Sequence, residues 1–126
     1  MPEKMAILPG ENVPKVILDA ETSRFEISGV CNPQNIREFS NTILSWLDEY
    51  SKQPNGKTNF VFKLDYFNFP SSKLLLDIMS KLENLNEMGN EVIVSWCYNK
   101  EDEDMKEAGD EYEGMVNLPF EKICIN

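Results

Sequence analysis

Histidine is absent from the 126 residues of this chain. Without it, no Ser-His-Asp or Cys-His nucleophile system can be assembled. His-based zinc and non-haem iron sites are excluded as well, and the usual neutral-pH general base is missing. Cysteine is scarce and unpatterned: Cys31, Cys97 and Cys124 form no CxxC pair, so reduced, buried thiols are expected. No apolar run approaches the roughly 18 residues that a membrane-spanning helix needs. Bases are few, 12 against 22 acids, for a net charge of −10. A surface of that sign repels phosphate backbones and argues against nucleic-acid binding.

The length fits one domain, 1–126, and the apolar fraction of 41% is that of an ordinary folded protein. Residues 1–14, with prolines at 2, 9 and 14, read as a loose lead-in. The first residues, Met-Pro-Glu-Lys-Met, hold no apolar signal core, so a cytoplasmic location is expected.

Lys15–Asp19 and the alternating Arg24–Ser28 read as a hairpin. Gly29 to Pro33 reads as a loop, with Asn32 as N-cap and Pro33 opening a helix. Ile36, Phe39, Ile43, Trp46, Leu47 and Tyr50 then recur at spacings of three and four, one apolar stripe on a long helix. Asn59–Phe67 reads as a strand with Phe60, Phe62, Leu64 and Tyr66 on one face and Val61, Lys63, Asp65 and Phe67 on the other. Ser71 and Ser72 offer caps for a second helix with Leu75, Ile78, Met79, Leu82 and Leu85 inside and Gly89 at its stop. Glu91–Tyr98 is a strand. Residues 101–114 form a third helix, buried through Met105, Ala108, Tyr112 and Met115 and weakened by Gly109. A strand over 120–125 ends the chain. The order β-β-α-β-α-β-α-β implies an α/β domain whose mixed, mostly parallel sheet has about five strands and about three helices.

Two places stand out chemically. Eight acids between Glu101 and Glu113 share one base, Lys106. A solvated helix face, a partner-binding face and a divalent-cation site all fit such a run, but the EF-hand spacing is missing. The other place is the strand-to-helix junction Tyr66-Phe-Asn-Phe-Pro-Ser-Ser-Lys73. Free N–H groups at a helix start favour an anion: a phosphoserine, a free phosphate ligand, or nothing beyond a capping hydroxyl. An enzyme built on Ser71, Ser72, Lys73 and Asp65 would want a Ser-x-x-Lys spacing, which is absent. No catalytic residue, cofactor or metal ligand is assigned.

From about Lys15 to Phe120 an ordered series of residues resembles the SiaC-type family of bacterial regulatory phosphoproteins, whose fold is like the STAS domains of anti-sigma-factor antagonists. The series is Gly29, Pro33 and Asn35, then Trp46-Leu47 and Tyr50, then Tyr66-Phe67-Asn68 and Ser71-Ser72-Lys73. It continues with Gly89, Val92, Val94, Trp96 and Tyr98, then Glu103-Asp104-Met105, Glu107 and Gly109, and ends in Pro119-Phe120. The resemblance implies a STAS-like regulator that is no enzyme and acts by partner switching. A Ser/Thr kinase and a PP2C-type phosphatase would set its state, and a diguanylate cyclase would be its target. The family's acceptor threonine follows the Tyr-Phe-Asn asparagine, where this chain has Phe69, then Pro70. Either Ser71 or Ser72 takes over as acceptor, or this member is a constitutive, unphosphorylatable binder; an anion-binding module is the further alternative. Asn68, Phe69, Pro70 and Lys73 are the expected partner-binding loop.

Overall fold

The computed structural model describes residues 2–125. Strands β1 (Met5–Ile7), β2 (Lys15–Asp19) and β3 (Arg24–Cys31) lead into helix α1 (Ile36–Lys52). Then β4 (Lys57–Phe67), α2 (Phe69–Glu87), β5 (Glu91–Tyr98), α3 (Glu103–Met115) and β6 (Phe120–Cys124) alternate. The sheet runs β1-β2-β3-β4-β5-β6; β1–β2 and β2–β3 are antiparallel and the remaining pairs parallel. The expected hairpin and three βαβ crossovers are therefore present.

Six strands replace the expected five because the lead-in is not loose throughout. Met5–Ile7 pairs with β2, and Met5 and Ile7 pack at the rim of the core. Three residues are too few to show a period, so only the neighbouring strand defines this one. The Trp46 indole further ties the segment down by donating to the Glu3 carbonyl at 2.7 Å.

Successive right-handed crossovers along a sheet of sequential order place every helix on one face. The aromatic contacts agree. Phe25 meets Trp46 and Tyr50 of α1, while Trp96 meets Tyr112 of α3. Phe25, Phe60, Phe62 and Trp96 share that face through strand register. The face behind them carries no helix.

Five local expectations change. Helix α1 is capped by Asn35, whose side chain accepts from the Glu38 N–H, and not by Asn32. Strand β3 runs on to Cys31 through what reads as a loop. It does so across an irregularity: Gly29 pairs with Leu64 but Val30 pairs with Tyr66, so Asp65 is an extra residue in β4. Gly29 has φ +94 there, a conformation that side chains rarely adopt. Beyond the bulge the faces of β4 exchange. Tyr66 turns out to solvent at 52% exposure, and Phe67 turns in against Trp96 and Tyr112. Met115, expected inside, is exposed at the end of α3, and Cys124 is exposed while Cys31 and Cys97 are buried.

Gly109 has a steric reason to be in α3. A Cβ there would lie 2.5 Å from Cδ1 of the buried Trp96 indole, whose Nε1 donates to the Met105 carbonyl. Gly109→Ala should gain up to about 1 kcal/mol in helix propensity yet lose about 1–3 kcal/mol to overpacking. Urea unfolding should show a net loss. A net gain would mean that the indole moves aside freely.

Candidate functional site

The inward turn of Phe67 brings the chain to Asn68 at the start of α2. Each polar group of Asn68 is used. Its N–H donates to the Cys31 carbonyl at 3.2 Å, and its carbonyl accepts from Ser72 N–H at 3.1 Å. Its Oδ1 accepts from the Ser71 N–H at 3.0 Å, and its Nδ2 donates to Asn32 Oδ1 at 2.5 Å. Asn32 is in turn held by its own N–H on the Asn12 carbonyl. Asn68, rather than either serine, is thus the cap of α2, and Asn32 braces that cap instead of opening α1.

Phe69 and Pro70 occupy the first two positions of the helix. Phe69 is 90% exposed. Two open depressions flank it. One, of about 640 Å³, lies toward α1 over Ile36, Leu44, Pro70 and Leu74, with Arg37 and Asp77 at its edge. The other, of about 490 Å³, lies toward α3 over Phe67, Leu76, Ala108 and Tyr112, bordered by Glu111 and Met115. Ser72 and Lys73 line both. Lys73 pairs with Asp77 at 3.1 Å. The Tyr112 hydroxyl donates to the Ser72 carbonyl at 2.8 Å, fixing α3 against the start of α2; burial pushes the pKa of this phenol up.

The two serines differ sharply. Ser71 is fully buried, and its Oγ has no well-formed hydrogen bond among the described residues. It lies by the Cys31 thiol, whose pKa burial pushes up and the hydroxyl only partly restores. As a candidate acceptor it is closed to a kinase unless the first turn of α2 unwinds. Ser72 is half-buried and donates to the Phe69 carbonyl.

The junction does not bring Ser71, Ser72, Lys73 and Asp65 together. Asp65 lines a depression on the helix-free side with Lys15, Glu26 and Lys63. Nor does it present the open N–H cradle that an anion needs: Pro70 has no N–H, and the Ser71 and Ser72 N–H groups bond to Asn68. Among the described residues, no three His, Cys, Asp or Glu side chains are grouped to hold a metal ion, and no helix is long and apolar enough to cross a membrane.

Sequence reasoning missed Asn32, Arg37 and Tyr112 as parts of this site. One signal was available: Asn35 with Glu38 three residues later is a capping pattern. It starts the helix at Ile36, places Arg37 in the first turn, and frees Asn32 for its brace.

The chain is a one-sided α/β domain with an exposed aromatic at a capped helix start. The family model described as "SiaC family regulatory phosphoprotein" matches residues 7–125, and the chain belongs to that family. A protein of Pseudomonas aeruginosa strain UCBPP-PA14 is 25% identical over 114 residues, 90% of each chain. Apo-SiaC from Pseudomonas aeruginosa superposes with a TM-score of 0.88 at 21% identity, covering 98% of this chain and 100% of that one. The SiaC structure solved as the activator in complex with the diguanylate cyclase SiaD, also from Pseudomonas aeruginosa, gives 0.89 at 22% identity, covering 96% and 99%. The fold is the one these structures share.

Asn68→Ala should lower stability by about 1–2 kcal/mol through loss of the cap, measured by urea unfolding with unchanged helix content. Asn68→Asp should lose less, since it keeps the acceptor for Ser71 N–H. An alanine variant as stable as wild type would show that neither the cap nor the Asn32 brace, both made by the Asn68 side chain, holds the junction.

Proposed function

We propose that the chain is a non-enzymatic cytoplasmic regulator that binds protein partners through the start of α2, residues 68–73, and that its target is a diguanylate cyclase. The exposure of Phe69 carries this reading. The ring stands on a helix start capped by Asn68, between two depressions with apolar floors. Covering such a ring is worth roughly 2–3 kcal/mol, and aromatic anchors of this kind dominate interface energies. Membership in a regulatory family supports the class of function. The complex of SiaC with the diguanylate cyclase that it activates, SiaD, supports the kind of target.

Phenylalanine accepts no phosphate, so position 69 is not itself the switch in this reading. Ser72 is the remaining acceptor, charged by a Ser/Thr kinase and cleared by a PP2C-type phosphatase. A phosphate there would add close to two negative charges. It would stand between both depressions, remove the hydroxyl bond to the Phe69 carbonyl, and repel or desolvate a partner seated on Phe69.

With the diguanylate cyclase of the same host as probe, calorimetry should give tight binding by the wild type and at least about tenfold weaker binding by Phe69→Asp, a change of about 1.4 kcal/mol. Equal affinities would remove the loop from the interface. Peptide mapping of the protein isolated from its host, with and without phosphatase, should place any phosphate on Ser72. Phosphate on Ser71 would instead require that the first turn of α2 opens.

A further inference from the structure

We propose that the partner segment seated over Phe69 is amphipathic and carries carboxylates on its α1 side, where Arg37 receives them. The proposal rests on Phe69 being the contact and adds the sign of what is bound. Arg37 is exposed at the edge of the α1-side depression, and its side chain has no ion pair or hydrogen bond among the described residues. The other charged residues that line this depression, Lys73 and Asp77, are paired with each other.

Stability does not account for Arg37. It is the second residue of α1, after the Asn35 cap. The helix dipole favours an anion at that place and opposes a cation. The start of α2 opens on the same depression through Phe69 and Pro70. A free guanidinium thus stands beside an apolar floor, and a guanidinium matches a carboxylate in a bidentate fork. Across Phe69 the unpaired charge is negative: Glu111 borders the α3-side depression, and Lys73, which lines both depressions, is paired with Asp77. A segment with acids along one flank therefore fits in one orientation, acids toward α1.

Arg37→Glu separates binding from folding, because the two respond with opposite sign. The variant should melt at the same temperature as wild type or higher, since the dipole then favours the new charge. It should bind the diguanylate cyclase of the same host about tenfold more weakly, with a shallower salt dependence. Wild-type affinity in Arg37→Glu, with binding lost in Phe69→Asp, would overturn the inference and leave the Phe69 reading standing. Should the wild type not bind the cyclase, that target falls. The inference is then decided by two synthetic amphipathic peptides that differ only in a flank of glutamates or lysines. The glutamate peptide should shift the amide resonances of Ile36, Leu44 and Leu74 in wild type and not in Arg37→Glu. Preference for the lysine peptide, or no response to either, would overturn the inference.

Discussion

The extra residue in β4, Asp65, is the constraint on which the functional end of the molecule depends. A regular strand would leave Tyr66 inside and Phe67 outside. With the bulge, Phe67 sits edge-on to Trp96, with ring centroids 6.2 Å apart, and reaches Tyr112 of α3. This inward aromatic fixes where the strand stops. Asn68 then arrives beneath the Cys31 carbonyl, and its side chain can close the first turn of α2. Gly29 meets the same irregularity from the neighbouring strand with a backbone angle open to few other residues. The pair of strands is thus shaped to deliver one helix start in one place.

Helix phase then decides what that start presents. Leu74, Leu75, Ile78 and Leu82 of α2 are buried against the sheet and α1. At about 100° per residue, the same phase drives Ser71 inward and turns Phe69, two residues earlier, to the opposite side. The exposure of Phe69 is therefore a consequence of core packing, not of a loose loop. The buried Ser71 hydroxyl is the cost of that phase, on the order of 1–3 kcal/mol where no partner is found. The buried leucines, isoleucine and methionine along α2 outweigh it.

Elements with a long apolar period were readable from the sequence. The stripe from Ile36 to Tyr50 and the alternation of Val92, Val94 and Trp96 give α1 and β5, and the order of elements gives the parallel part of the sheet. What escaped depends on partners distant in the chain. Met5–Ile7 is a strand only because β2 lies beside it. The faces of β4 exchange only because Gly29 pairs with Leu64 and Val30 with Tyr66. Asn32-Pro33 looks like a helix start by local chemistry, yet Asn68, 36 residues away, claims the Asn32 side chain. The same limit applies at the site. The sequence marks the junction 68–73, but it cannot separate a buried Ser71 from an accessible Ser72, since both are small, polar and adjacent.

Charge at this site acts on two length scales. The chain as a whole, at −10, repels an acidic partner during approach and lowers its rate of encounter. At physiological salt this repulsion fades beyond about 8 Å, so contact is governed by the groups around Phe69. There the α1 side offers Arg37, and the α3 side offers Glu111. A partner with uniform negative charge meets attraction on one side and repulsion on the other. A uniformly basic partner is favoured by the whole molecule and disfavoured at Arg37. Only a segment whose two flanks differ in charge satisfies both sides while its apolar ridge covers the ring. In the proposed mode of binding, the apolar contact at Phe69 supplies most of the affinity, and the opposite charges of Arg37 and Glu111 on its two sides supply orientation and selectivity.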